Sequence, residues 1–293
     1  MIKRSRLIRW KGWLFILPGL LFHVFAVTIP AMLSLYLPFT EWNGISMPRF
    51  IGIDNFVEAF RDKIVGTAFL NNVKWMLFWV TIPIMIAFGL AYLLFKIKRG
   101  QTAYQSIYFS TSIITVTVAG QIWFWMYNPF SGINFYLDKA GLGFLEWPGL
   151  TIPSFALVSV LLADMWRGFG GNVIWLLAAL TQNDKSIEEA AKLDGAGRFR
   201  ILWNIVLPQI RPTLVVVTLL TALGAFGAFE MVYVMTGGGP AHATETLSTY
   251  YYSLSTRGQR AGYGSAIALF QMFIAFVLIA VYAYLKKKKG WDV

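Results

Sequence analysis

The chain contains no cysteine and only two histidines among its 293 residues. The first absence excludes disulfides and thiolate metal sites, and the second leaves too few imidazoles for a multi-histidine metal site. Charge is scarce as well, since Asp, Glu, Lys and Arg make up 13% of the residues while 57% are hydrophobic. A water-soluble domain could not hide that much apolar surface in one core, so lipid must cover the remainder. Soluble-enzyme and nucleic-acid-binding readings fall at this step. Membrane-enzyme signatures are missing too, because the chain carries no His-Glu-x-x-His pair, no cysteine nucleophile and nothing like a Ser-His-Asp set.

What is there instead is a series of apolar runs, each long enough as a helix to cross a hydrocarbon layer about 30 Å thick. Six are expected to span: Trp13 to Pro38, Val73 to Phe95, Tyr104 to Tyr127, Pro153 to Leu180, Pro212 to Met235 and Gly264 to Leu285. None alternates in polarity as barrel strands do, and backbone satisfaction in lipid requires helices, so the fold class is an all-α membrane protein of about six transmembrane helices. The basic N-terminus resembles a signal peptide, but the apolar stretch after it is too long and no small-residue cleavage site follows. It is expected to be an uncleaved first span.

The net charge of +11 encodes topology. Seventeen Lys and Arg residues gather in the N-terminal tail, at Lys96, Lys98 and Arg99, between Lys185 and Arg211, and in Lys286 to Lys289. Seven lie on the other side, and Arg167 lies within a span. The positive-inside rule then puts both termini in the cytoplasm. The expected organisation is a cytoplasmic tail (1–12), a six-helix transmembrane domain (13–285) containing a cytoplasmic loop (181–211), and a basic cytoplasmic tail (286–293). Trp10, Trp13, Trp42, Trp75, Trp123, Trp125, Trp147 and Trp291 fall near span ends, where amphipathic rings prefer to sit. Between Glu41 and Lys63, the apolar spacing of Asn55 to Phe60 suits a short surface helix.

The cytoplasmic loop between spans four and five carries the most specific pattern. Ser186 and Glu189 form a capping box, Gly195 is suited to end the helix that follows, and Phe199, Leu202, Ile205 and Val206 recur at helical spacing up to Pro208. The result is a short exposed helix with a low-relief face at Ala190 and Ala191, and with Glu188, Glu189 and Asp194 available to a basic partner. Glu189-Ala190-Ala191, then Gly195, then Ile205, Leu207 and Pro208 closely resemble the EAA loop of binding-protein-dependent ABC import permeases. Phe50-Ile51-Gly52-Ile53-Asp54-Asn55-Phe56 and Met235-Thr236-Gly237-Gly238-Gly239-Pro240 with Thr244-Glu245-Thr246 are similar to the carbohydrate branch of that family. The Gly-Gly-Gly-Pro element lacks the Gly-Lys-Ser/Thr of a phosphate loop.

The resemblance implies a type I ABC importer permease in the cytoplasmic membrane of a bacterium or archaeon, paired with a second, different permease chain. Two ATP-binding cassette ATPases would lie beneath them, and an extracytoplasmic solute-binding protein would deliver a sugar or oligosaccharide. Glu188, Glu189, Ala190, Ala191, Asp194 and Gly195 would form the coupling helix. ATP and Mg would be bound by the partner ATPases, with no cofactor on this chain and no catalytic role for it.

A sugar path needs aromatic faces and hydrogen-bonding groups turned away from lipid. Ser106, Ser110, Thr117 and Gln121 share one helical face if the third span is a single helix. In the fourth span, Asp164 and Arg167 are three residues apart and suited to neutralise each other, since burying one charge there costs roughly 2.5–3.5 kcal/mol. Trp166, Phe169 and Asn172 are the candidates for sugar contact. In the fifth, Phe226, Phe229 and Glu230 follow a Gly224-Ala225 break and are placed at the gate. The rival reading is an ion-gradient-driven secondary transporter, for which only Asp164, Arg167 and Glu230 supply candidate carrier groups.

Overall fold

The computed structural model describes residues 2–97, 99–183 and 185–289, with side chains from 13 onward except at 185 and 289. Lys98, Trp291 and the side chains of Trp10 and the basic N-terminal tail, all read above as topological signals, lie outside the described residues. Two compact units are present, one formed by Met1–Asp62 with Tyr251–Phe270 and the other by Lys63–Tyr250 with Gln271–Val293.

In the first unit a helical run comprises α1 (Ile2–His23), a π-helical turn (Val24–Thr28) and α2 (Ile29–Tyr36). The wide turn falls just before Pro30, whose ring would clash with the carbonyl four residues back in a regular α-helix. A two-stranded antiparallel hairpin follows, β1 (Thr40–Glu41) with β2 (Arg49–Phe50), and then α3 (Asp54–Arg61), the surface helix expected from the apolar spacing. Asn55 is buried and pins α3 to the chain ahead of it, donating to the carbonyls of Pro38 and Thr40 at 2.9 Å each.

The second unit is built on α4 (Lys63–Lys96), followed by α5 (Gln101–Ile113), α6 (Val116–Met126), the short α7 (Ile133–Lys139) and α8 (Pro153–Thr181). After these come α9 (Lys185–Leu193), α10 (Arg198–Ile201), a second π-turn (Leu202–Val206), α11 (Leu207–Phe226) and α12 (Glu230–Met235). This π-turn again precedes a proline, Pro208. Helices α13 (Leu247–Thr256) and α14 (Ala261–Lys289) begin in one unit and end in the other.

Four helical segments are long and apolar enough to cross a bilayer, Trp13–Phe39, Lys63–Lys96, Arg198–Met235 and Ala261–Lys288, and the α5–α6 pair makes a fifth if it is one span. The remaining expected span is α8, whose 29 residues reach roughly 43 Å. Asp164 and Arg167 keep α8 out of the apolar set. It packs against α4, α5, α6 and α11, and Val160, Ala163, Val173, Leu176 and Leu180 are fully buried on it. Gly170 permits the α5 crossing, because a Cβ there would overlap the Tyr108 carbonyl oxygen.

Two expectations about helix continuity are corrected. The third span is not one helix, since α5 and α6 meet at 86°. The β-branched run Ile113-Ile114-Thr115-Val116 is a weak helix former, Ile114 and Thr115 are extended, and the Thr115 hydroxyl caps α6 by accepting from the Val118 N–H. Ser106 and Ser110 therefore lie on a different segment from Thr117 and Gln121, and the shared face does not exist. The break in the fifth span falls at Gly227-Ala228-Phe229, three residues beyond Gly224-Ala225. Trp75 also departs from expectation, because it is 1% exposed and packs in the core.

The broken end of α11 is repaired by side chains. Asn72, fully buried, donates to the Phe226 carbonyl at 2.5 Å while its own oxygen accepts the Leu247 N–H at 2.8 Å. Gln271 donates to the same Phe226 carbonyl at 3.0 Å, and Thr246 donates to the Ala228 carbonyl at 3.0 Å. Replacing Asn72 by Leu leaves a buried N–H without its partner and removes one donor from the carbonyl, at about 1–3 kcal/mol per unsatisfied group. Asn72→Leu is expected to lower the melting temperature of the detergent-extracted protein by several degrees, and Gln271→Leu by less because Asn72 still reaches the carbonyl. Unchanged melting of Asn72→Leu would show that the break does not depend on this cap.

Candidate functional site

The motif between the fourth and fifth spans folds as expected in outline, with a different start. Helix α9 begins at Lys185, so Ser186 lies inside the first turn and is not the N-cap. At the other end, Gly195 adopts φ +77°, its N–H bonds the Lys192 carbonyl, and the Ala196 N–H bonds the Ala191 carbonyl. That pair of bonds is a Schellman closure, which needs a left-handed residue where glycine stands.

The six coupling candidates divide by face. Ala191 is buried among Leu94, Leu176 and Ile201, and Glu188 turns the same way. The Glu188 carboxylate pairs with the Lys96 ammonium at the end of α4, which lies 5.0 Å from the ring centroids of both Tyr92 and Phe95. Glu188 therefore anchors α9 to the bundle and is not available to an outside basic group. Glu189, Ala190, Asp194 and Gly195 are exposed, beside an apolar surface formed by Ile187, Leu193 (89% exposed), Phe199 (74%) and Trp203. The exposed surface of this segment thus mixes two carboxylates with apolar side chains and with Lys192, Arg198 and Arg200.

At the other functional locus, a cavity of about 560 Å³ opens where α4, α8, α11 and α12 meet. Trp75 and Trp79, one turn apart on α4, supply its aromatic wall, joined by Phe229, whose ring stacks on Tyr233 at 5.2 Å. Asp164, Arg167 and Asn172 come from α8, Thr221 from α11, and Glu230 from the first turn of α12. Gly168 makes room for the wall, since a Cβ there would stand 2.5 Å from the Trp79 ring. With the ring so placed, the Trp79 indole N–H donates to the Asp164 carboxylate at 3.0 Å.

Asp164 and Arg167 act on each other through space rather than by direct contact. Among the described residues no direct ion pair joins them; Trp79 is the hydrogen-bonded partner, and the Arg167 Nε is buried without one. Asn172 lies on the cavity wall with its amide oxygen 3.4 Å from the Thr221 hydroxyl, beside Phe229 and Glu230. The other path candidates lie elsewhere. Trp166 packs edge-on against Trp123 at 5.7 Å, Phe169 packs edge-on against Tyr108 at 6.4 Å, Phe226 is buried against Phe69, and Gln121 is exposed on α6.

Trp79 and Thr221 were not anticipated, and Trp75 was assigned to the membrane interface. The signal for the tryptophans was their i,i+4 spacing, which places two large polar-edged rings on one helix face. The Gly-Gly-Gly-Pro element proves to be loop geometry. Gly237 and Gly238 have φ of +58° and +93°, and Gly238 lies directly over the buried Glu245 carboxylate. That carboxylate accepts from the Thr249 hydroxyl at 2.6 Å and meets His242 Nδ1 at 2.8 Å, a partner no sequence pattern indicated.

Comparison with known proteins bears on both loci. The family model described as "Binding-protein-dependent transport system inner membrane component" matches residues 73–290. The chain is 31% identical to the sn-glycerol-3-phosphate transport system permease protein UgpA of Escherichia coli (strain UTI89 / UPEC), over 96% of this chain and 95% of that one. It is 26% identical to the multiple sugar-binding transport system permease protein MsmF of Streptococcus mutans serotype c, over 98% of each chain. In fold it is similar to a chain from the crystal structure of a bacterial ABC transporter involved in the import of the acidic polysaccharide alginate, with a TM-score of 0.82 and 22% identity over 98% of both chains. These matches show that the chain belongs to the family of inner-membrane permease components of binding-protein-dependent ABC importers.

Proposed function

We propose that this chain lines half of the path by which sugars or oligosaccharides enter the cell, and that its α9 region passes the ATPase cycle to that path. The observation that carries the proposal is that the two loci share the same two helices. Helix α8 contributes Asp164, Arg167 and Asn172 to the cavity and runs on to the start of α9, while the segment after α9 leads through α10 into α11, which contributes Thr221. A displacement of α9 is therefore delivered along rigid helices to the cavity wall, the kind of packed two-state coupling that domain closure exploits. Trp75, Trp79 and Phe229 present aromatic faces suited to pyranose rings, and Asn172 and Thr221 present donors and acceptors.

The partners follow from that arrangement. Two ATPase subunits, carrying ATP and Mg, would receive the exposed face of α9, and the surface there fits a mixed apolar and basic cleft. A second permease chain would close the open side of the cavity, and a solute-binding protein outside would supply the cargo. The printed names of UgpA and MsmF, a glycerol phosphate and a sugar system, support a carbohydrate or polyol cargo. Both termini would face the cytoplasm. Asp164, Arg167 and Glu230 do converge in one cavity, as an ion-coupled carrier requires, but membership of the importer family assigns the energy source to ATP.

Four substitutions test the coupling and the attachment of α9, and two fusions test the topology. Glu189→Arg reverses an exposed charge on the docking face, and Gly195→Trp places a side chain at φ +77°, where only glycine sits without strain. Both are expected to leave insertion and assembly intact while uptake falls at least tenfold and ATP hydrolysis no longer responds to substrate; normal uptake by both would remove α9 from the mechanism. A cytoplasm-active fluorescent reporter fused after Val293 is expected to be bright and an exported phosphatase fusion inactive. The opposite pattern would reverse the orientation, and Glu188→Ala should reduce assembly where Glu189→Ala does not.

A further inference from the structure

We infer that the cavity is built to pass uncharged saccharides and to disfavour those carrying carboxylate or phosphate, with Glu230 as the residue that sets this preference. The inference rests on the proposed sugar path and adds the charge class of the cargo.

Three charged side chains line the cavity, Asp164, Arg167 and Glu230. Asp164 and Arg167 lie one turn apart on α8, the arginine's charge acts on the aspartate, and the Trp79 N–H completes the carboxylate's surroundings. These two charges offset each other within the wall. Glu230 is different, because it is exposed, it begins α12 just beyond the break in the fifth span, and no hydrogen bond or ion pair ties it down among the described residues. The lining contributed by this chain therefore carries an uncompensated negative charge at an exposed position.

The neutral part of the lining reads the same way. Asn172 and Thr221 hydrogen-bond with hydroxyls in either role, a carboxylate accepts from two hydroxyls at once, and Trp75, Trp79 and Phe229 offer ring faces. A neutral sugar satisfies all of these groups. An anionic sugar would bring a second negative charge beside Glu230, and like charges repel, so the arrangement selects against it as well as for its neutral counterpart. Arg167 does not reverse this, since its charge is already shared with Asp164.

The test uses the purified permease–ATPase complex in nanodiscs and measures binding of matched pairs, each a neutral mono- to tetrasaccharide of glucose, galactose or mannose and its uronic-acid counterpart. Wild-type complex is expected to bind at least one neutral member at least tenfold more tightly than its uronate. Glu230→Gln should shrink that ratio toward one, and Glu230→Lys should invert it while the affinity of the neutral member changes by less. Glu230 is exposed, so both variants should assemble as the wild type does. Tighter binding of uronates by the wild type, or a ratio unmoved by both variants, overturns the inference and leaves the sugar path standing. Binding of no member of any pair overturns the sugar path and the inference together.

Discussion

A chain that interrupts a helix inside a bilayer must find partners for the carbonyls it frees, because lipid offers none. That constraint organises the second unit. The interruption at Gly227-Ala228-Phe229 releases the carbonyls of Phe226 and Ala228, and Asn72, Gln271 and Thr246 converge on them. Asn72 also receives the Leu247 N–H, so the same side chain secures the start of α13. Because the break is stabilised in this way, Phe229 and Glu230 can leave the helical path and enter the cavity wall. A continuous fifth helix would have carried them round its own surface at 100° per residue, with no means of setting ring and carboxylate beside α8.

Helix α8 solves a second problem, that of carrying charge through the membrane interior. Its charged turn is accommodated because lipid is kept away on most sides, with α4, α5, α6 and α11 packed round it. The close approach depends on small residues, Gly170 against the Tyr108 backbone and Gly168 beneath the Trp79 ring. Gly168 thus acts at one remove on the electrostatics of the cavity, because the position of the Trp79 ring determines whether its N–H reaches Asp164. Packing and charge placement here are one arrangement.

Much of this was legible from the residues, and the illegible parts share a cause. Helical spans, the surface helix at Asn55 and the glycine-ended α9 all rest on local rules, namely hydropathy length, apolar spacing and the need for a left-handed residue after Leu193 and Asp194. The bend between α5 and α6 was also written locally, in four consecutive residues of which all are β-branched, yet a long apolar run masks it when hydropathy alone is read. Trp75 was misplaced because a tryptophan near a span end satisfies the interfacial pattern equally well whether it faces headgroups or protein. Only the partner across α8 decides between them, and that partner lies about 90 residues away in sequence.

The two adjacent glutamates of α9 show the same limit at the scale of one residue. Glu188 and Glu189 have identical chemistry and neighbouring positions, and the motif alone offers both to a partner. On a helix they point 100° apart. The face carrying Ala191, three positions on from Glu188, is fixed by the core cluster of Leu94, Leu176 and Ile201, so Glu188 must also point inward, and a buried carboxylate there demands a cation. Lys96 supplies it from the end of α4. The pair thereby fastens α9 to the helix that carries Trp75 and Trp79, giving α9 a third connection to the cavity wall besides α8 and α11. The other wall elements, α6 with Val116 and α12 with Glu230, reach α9 only by packing on these helices or through the break at Gly227.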